Sequence, residues 1–457
     1  MQQGLETIVA IATARGRAAL AIVRLSGPDA VPIVAACFRG KSLEQTKGHT
    51  AFFGYITDIQ GNDIDQVVAT VFRAPKSATG EDIVEVTCHG GDFAPQLILH
   101  RLVQAGARLA EPGEFTQRAF LNGKMDLAQA EAVADLIHAS SSMAHRVSLN
   151  HLQGRYSAQI MALRAELMEL AAMIELELDF AEEDVAFADR DRLVGLLKNA
   201  QILLSGLLDS WRVGAFLRDG IRVVIGGRPN AGKSTLLNVL TGRNRAIVSP
   251  IAGTTRDEIE VDVEVMGFLF RFVDTAGLRE TQDLIEAEGV RRAEHSIRTA
   301  DILLYVFDAV IGLDEEESVF LTTLKQAQPQ LPVLRVANKA DLALQMDSFE
   351  ADFRLSAVHW DDPALEALRK KLVQTATQGL ADAEASAVVT NQRHRQHLAK
   401  ALRHVETAQD LLSTELVSGD RLSLDLRLAL HELGAITGEI TTEDILGEIF
   451  SRFCIGK

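Results

Sequence analysis

The segment Gly227-Arg-Pro-Asn-Ala-Gly232-Lys233-Ser234 constrains the fold more than any other stretch of the chain. It satisfies GxxxxGK[ST], follows the short apolar run Arg222–Ile225, and leads into Thr235-Leu-Leu-Asn238, which reads as the opening of a helix. Strand, glycine loop and helix in that order aim backbone N–H groups and a helix N-terminus at a phosphate chain. Ala231, Gly232 and Thr235 then line the phosphates, Lys233 reaches the β and γ oxygens as a catalytic group, and the Ser234 hydroxyl suits Mg2+.

Three further elements follow in the order that a nucleotide site of this kind requires. Phe268–Val273 is expected as a strand ending in Asp274-Thr275-Ala276-Gly277, where the carboxylate can hold Mg2+ through water and the Gly277 N–H can sense the γ-phosphate. Val333–Val336 is expected as another strand, followed by Asn338-Lys339-Ala340-Asp341. The Asp341 carboxylate accepts from guanine N1–H and its exocyclic amine, a donor pair that adenine lacks, so the chain is expected to choose GTP over ATP. Ser356-Ala357 is placed to support guanine O6 through a backbone N–H. Between the first two elements lies Ser249-Pro-Ile-Ala-Gly-Thr-Thr-Arg256-Asp257, a switch segment in which Thr255 is expected to complete the Mg2+ shell.

Hydrolysis needs an oriented water. Regulatory GTPases use a Gln directly after the DTAG glycine, and here that place is Leu278, which cannot orient water. Asn230 and the threonine-rich switch offer oxygens at which a monovalent cation can supply the charge of an arginine finger. The acidic stretch Asp283-Leu-Ile-Glu286-Ala-Glu288 offers carboxylates that can align the water or simply face solvent.

The rest of the chain has two textures. Residues 1–120 alternate short β-type runs (Thr7–Ile11, Leu20–Leu25, Val67–Phe72, Ile83–Cys88) with glycine and proline turns. Helical spacing appears at Ile160, Leu163, Leu167, Leu170 and Ile174, and again at Leu398, Leu402, Val405, Leu412 and Leu416. Helical sequence on both sides of a βαβ unit predicts an α/β domain threaded into a helical one. The predicted domains are 1–122 (N-terminal α/β), 123–216 (helical, first part), 217–382 (GTPase) and 383–457 (helical, second part). Cys37, Cys88 and Cys454 are scattered and odd in number, which argues for a reducing compartment. No signal peptide or membrane-spanning run is evident, so a cytoplasmic location is expected. With 46 basic and 63 acidic residues the net charge is −17, which repels nucleic acid, so any RNA contact must use a local basic patch or a partner.

The chain resembles the bacterial tRNA modification GTPases of the MnmE type along its whole length. The ending Arg452-Phe-Cys454-Ile455-Gly456-Lys457 carries the resemblance, together with Gly80-Glu-Asp-Ile-Val-Glu85, His89-Gly90-Gly91 and Pro112–Glu131. The resemblance implies a fold of multidomain α/β plus α class: a mixed α/β folate-binding and dimerisation domain, a discontinuous helical domain and an inserted P-loop GTPase (Ras-like) domain. It implies a homodimer and K+-dependent hydrolysis, with K+ near Asn230, Ser249, Ile251 and Thr254, Mg2+ at Ser234 and Thr255, and Glu286 orienting water. It places a tetrahydrofolate derivative (5-formyl- or 5,10-methylene-tetrahydrofolate) at Arg24, Glu85, Lys124 and Lys457, and leaves Cys454 as either a nucleophile or a docking element. With a partner that uses FAD and NADH, in a heterotetramer, the family adds a carboxymethylaminomethyl or aminomethyl group to C5 of the wobble uridine (position 34) of certain tRNAs. Ser249 stands where threonine is common, and the segment Ala12–Ala19 lacks prolines often found there. The competing expectation is a slow GTPase switch that binds RNA or ribosome-assembly partners without modification chemistry. Such a switch would need neither folate nor the last four residues.

Overall fold

The computed structural model describes residues 6–179, 190–242, 259–274, 296–343, 350–377, 388–413 and 419–456. The chain divides into two compact units: Met1–Ala134 with Leu152–Met161 and Leu433–Lys457, and Asp135–His151 with Ala162–Glu432.

The first unit is built on β1 (Ile8–Ile11), β2 (Leu20–Ser26), β3 (Phe38–Gly40), β4 (Thr50–Thr57), β5 (Asp63–Phe72), β6 (Ile83–His89) and β7 (Arg108–Leu109). They form one sheet in the order β3-β4-β5-β6-β2-β1-β7, antiparallel throughout except for the parallel pair β1 and β7. Alternation along each strand decides which face is buried. Val23, Leu25, Val67, Ala69, Val84 and Val86 form a core with Ile98 and Leu102 of α2 (Ala94–Gln104) and with α1 (Ala30–Ala35). The other parity puts Arg24 on β2 directly opposite Glu85 on β6. Helices α3 (Glu114–Leu121) and α4 (Leu127–His138) follow β7.

Helices α5 (Ser142–Leu152), α6 (Arg155–Asp179, assigned to the second unit from Ala162 onward), α7 (Arg190–Asp209) and α8 (Trp211–Asp219) precede the sheet of the second unit. The predicted stripe Ile160, Leu163, Leu167, Leu170 and Ile174 is buried along α6. The sheet contains β8 (Ile221–Gly226), β9 (Ile259–Val265), β10 (Phe268–Asp274), β11 (Ile302–Asp308), β12 (Val333–Asn338) and β13 (Phe353–Arg354), in the order β13-β12-β11-β8-β10-β9. All pairs are parallel except β9 with β10, whose hairpin turns at Met266 and Gly267 with φ of 50° and 89°. Two positive φ values make the tight turn whose twist suits a hairpin. Because β8 lies between β10 and β11, the strand order reverses there and opens a crevice at the carboxyl ends of the strands, where open α/β sheets bind ligands.

Helices α9 (Lys233–Thr241), α10 (Glu315–Ala327) and α11 (Pro363–Thr377) belong to this sheet, and α12 (Gln392–Ser413), α13 (Gly419–Thr437) and α14 (Glu443–Ser451) end the chain. Leu398, Val405 and Leu412 are buried on α12, which packs along α7, whereas Leu402 is only half-buried. Residues 388–390 run against α8: the Val389 amide donates to Ser210 Oγ at 3.0 Å, and a Cβ on Gly214 would lie 2.0 Å from the Val389 carbonyl oxygen. No described helix is long and apolar enough to cross a membrane.

The C-terminal segment completes the first unit. Leu446, Phe450 and Phe453 pack with Leu127 and Ala130 of α4, and Ile455 bridges to Pro112. Gly456, at φ 95°, is seated where a Cβ would come 2.5 Å from the Ile11 carbonyl oxygen.

Candidate nucleotide site

The loop after β8 takes a path that few side chains tolerate. Gly227 has φ 133°, and a Cβ there would lie 1.9 Å from the Val306 carbonyl oxygen, so strand-to-strand contact demands glycine. Asn230 at φ 64° and Gly232 at φ 91° are left-handed, and they turn the chain into α9. Lys233 is buried, with Nζ donating to the carbonyls of Gly227 at 2.8 Å and Arg228 at 2.7 Å. Its ammonium is thereby held inside the loop that would wrap the phosphates. Ser234 and Thr235 are exposed in the first turn of α9, the positive end of the helix dipole, which favours an anion. The Asn230 side chain is exposed and bonds to none of the described residues.

At the end of β12, buried Asn338 ties this loop to the base end of the site. Its Nδ2 donates to the Ala231 carbonyl and its Oδ1 accepts from the Ala357 amide, both at 2.9 Å. Lys339 follows in the left-handed region and pairs with Asp308 at 2.7 Å. Burial works to raise the Asp308 pKa, but the Lys339 ammonium and the Val310 and Ile311 amides outweigh it and hold the carboxyl below its ordinary value. Asp341, in the single 3-10 turn Ala340–Leu342, is exposed, and its carboxylate bonds to none of the described residues. A carboxylate left open beside the ordered Asn338 is what a guanine edge requires. The Ser356 amide donates to Asp362 Oδ2, also at 2.9 Å, so both the Ser356 and the Ala357 amides are engaged within the protein.

A second set of contacts anchors the loop, and nothing in the motif announces it. Arg228 pairs with Asp314 and, at 3.5 Å, with Glu317. These two carboxylates form the capping box of α10, and Glu317 also accepts from the Tyr305 hydroxyl at 2.9 Å. Burial, together with this acceptor, pushes the Tyr305 hydroxyl pKa up, so it stays a donor. Asp314 and Glu317 have the spacing of a capping box in the sequence, but their pairing with Arg228 depends on the fold.

The structure places Asn230, Ala231, Gly232, Lys233, Ser234, Thr235, Asn338, Lys339, Asp341, Ser356 and Ala357 around one crevice of the second unit. Asp274 ends β10, beside Ile225 of β8; its side chain lies outside the described residues. Ser249, Ile251, Thr254, Thr255, Thr275, Ala276, Gly277, Leu278, Glu286 and Lys457 also lie outside them.

In the first unit, Arg24 Nε donates to Glu85 Oε1 at 2.8 Å across the β2–β6 pair, with the guanidinium 5.8 Å from the centre of the Phe115 ring. Both side chains remain partly accessible. Exposed Lys124 donates to the Pro75 carbonyl at 2.9 Å and passes over Gly80, just ahead of β6. Cys454 is exposed, while its carbonyl faces the Gly113 amide at 3.4 Å. Beside these residues is a largely buried ionic cluster. Arg118 donates to Glu114 at 2.9 Å, to Glu81 at 3.1 Å and to the Glu6 carbonyl at 2.9 Å, and Arg108 closes on Glu114 from the other side. Burial raises the Glu114 pKa, but the bonds from Arg108, the Glu111 amide and Arg118 outweigh it and leave the pKa lowered.

Comparison with known proteins agrees along the whole chain. Residues 7–124 match the family described as GTP-binding protein TrmE N-terminus, and residues 127–454 match the MnmE helical domain. A protein named tRNA modification GTPase MnmE from Salinibacter ruber is 59% identical, with 99% of each chain covered. Proteins of the same name from Christiangramia forsetii and Cytophaga hutchinsonii are each 45% identical, covering 99% of this chain and 99% and 98% of theirs. The chain belongs to the MnmE family of tRNA modification GTPases.

Proposed function

We propose that this GTP hydrolase works in tRNA modification, with GTP lying between the Gly227–Ser234 loop and the Asn338–Asp341 turn. The observation that carries the reading is the Asn338 bridge from the Ala231 carbonyl to the Ala357 amide, which makes the phosphate end and the base end one preorganised unit. Lys233 would exchange its two loop carbonyls for phosphate oxygens, and Asp341 would select guanine. The exposed hydroxyl of Ser234 suits Mg2+, with Thr255 as its second ligand. The uncommitted Asn230 amide suits K+, with Ser249, Ile251 and Thr254 beside it. Bound there, K+ would supply positive charge next to the phosphates, and Glu286 would orient the attacking water. Arg24, Glu85, Lys124 and Lys457 would hold the tetrahydrofolate derivative. The half-accessible Arg24–Glu85 pair supports this, because it offers an acceptor to a pterin and a cation to a carboxylate.

The full reaction in this reading is addition of the aminomethyl-type group to C5 of uridine 34, by a cytoplasmic homodimer acting with a partner that uses FAD and NADH. The return of residues 388–390 to α8 supports the insertion of a GTPase domain over 217–382 between helical parts 123–216 and 383–457. The test is GTP turnover in KCl and in NaCl at matched ionic strength. A large gain in KCl is expected. Equal rates would remove the cation site at Asn230 and move the reading to the slow switch.

A further inference from the structure

One helix face in the second unit carries charge opposite to that of the chain. From Gln392 to Val405, α12 has Arg393, Arg395, Lys400 and Arg403 and no Asp or Glu, although the chain holds 46 basic and 63 acidic residues. His394, Leu398, Ala401 and Val405 form the buried side. At about 100° per residue, Arg403 falls on the opposite side, with Arg395 about 80° to one flank of it and Lys400 about 60° to the other, and all three are exposed.

The arginines on this face are ordered without being neutralised. Arg395 lies over the Trp211 ring, with Cζ 5.0 Å from its centre, and Arg218 covers the same ring at 5.4 Å. Arg218 is occupied by Asp219 and by the Thr390 carbonyl. Among the described residues no carboxylate pairs with Arg395 or Arg403. Arg403 reaches only the Ala399 carbonyl, at 3.4 Å, and Lys400 stands 3.6 Å from Glu432. Stacking on indole fixes a guanidinium while leaving its N–H fork open, the state suited to a phosphate. Arg395 and Arg403 are about 12 Å apart along the helix, far enough to meet separate phosphates of one strand. The exposed side of α12 from Gln392 to Thr407 carries no large apolar residue, which a protein interface would place at its centre.

We propose that this face of α12, with Arg395 laid on Trp211 and Lys400 and Arg403 beyond it, contacts the phosphate backbone of tRNA. The proposal rests on the tRNA reading above and names the surface that overcomes the chain's net negative charge. Backbone neutralisation releases counterions, so its signature is the salt dependence of binding.

The experiment measures binding of an unmodified tRNA transcript to the full chain over a salt series. It compares the unaltered protein, R395E/R403E, R395K/R403K and the control K325E/K370E, whose exposed lysines lie on α10 and α11 and whose net charge changes equally. R395E/R403E is expected to bind at least ten-fold more weakly, with a log–log salt slope shallower by about one to two. R395K/R403K should keep the slope, and the control should keep both affinity and slope. Melting curves and tRNA-free GTP turnover should match across the set. Equal weakening in the control would reduce the effect to net charge and overturn the proposal. Unchanged binding by R395E/R403E would also overturn it and leave the face to an acidic protein. If the unaltered chain itself fails to bind tRNA at low salt, the tRNA reading of the chain alone falls, and this surface with it.

Discussion

The side-chain amide of Asn338 donates to the carbonyl of Ala231 at 2.9 Å, joining the end of β12 to the loop before α9. Removing that amide leaves a buried carbonyl and the Ala357 N–H without partners, at about 1–3 kcal/mol for each unsatisfied group. Asn338→Ala should lower the denaturant midpoint and weaken GTP binding at least ten-fold. Unchanged affinity by nucleotide fluorescence would show that the two ends of the site are independent.

Asp341 is exposed and uncommitted, so its replacement should change recognition without disturbing the fold. Asp341→Asn turns an acceptor into a donor toward the base. GTP affinity should fall about 100-fold, as expected when a charge-assisted bond pair worth roughly 3 kcal/mol is lost. Xanthosine triphosphate, which presents a carbonyl where guanine presents its amine, should gain. A calorimetric titration with both nucleotides decides this, and parallel losses would remove Asp341 from base selection.

Gly227→Ala sets a methyl group 1.9 Å from the Val306 carbonyl oxygen at a φ of 133°, and neither backbone can yield without separating β8 from β11. Strain and steric overlap together should cost at least about 2 kcal/mol. Thermal melts would show it, and a normal melting temperature would mean that the loop has an alternative path.

Glu114 makes the first unit sensitive to acid. Its folded pKa lies below the ordinary 4.5, so its contribution is complete above about pH 4.5 and is lost as pH falls through the folded value. Glu114→Gln should be less stable at neutral pH and should show a flatter acid limb than the unaltered chain. Removing one partner of a buried ion pair costs about 3–5 kcal/mol. Acid titration followed by circular dichroism tests the sign, and parallel limbs would contradict it.

The strands legible in the sequence beside the nucleotide motifs are short apolar runs, each carrying one arginine (Arg222, Arg271, Arg335) that is only half-buried. By contrast β11, apolar up to its final Asp308, carries no motif to mark it. Ile221–Gly226 exceeds the predicted run by one residue at each end, Phe268–Asp274 by one residue and Val333–Asn338 by two at the C-terminal end. β9 was not read, since Glu260, Asp262 and Glu264 alternate along a sheet edge that only β10 covers. The nucleotide motif was legible because a phosphate loop requires particular residues at fixed spacing. The Arg228–Asp314 pair and the Arg118–Glu114–Arg108 cluster were not, because their partners meet only once separate elements have packed. The engaged Ala357 amide is of the same kind: its neighbour Asn338 is visible in the sequence, but the bond between them is not.

Gly456 rests against Ile11, and Ile455 bridges to Pro112, so the corner of the first sheet is closed by a segment far along the chain from it. Nearly the whole chain must be synthesised between the strand and the segment that covers it. During translation the Pro112 edge waits unpaired, and native contacts of such sequence separation form late. Closure of this unit therefore waits for a segment that follows every residue of the second unit, which is free to fold before that segment is made.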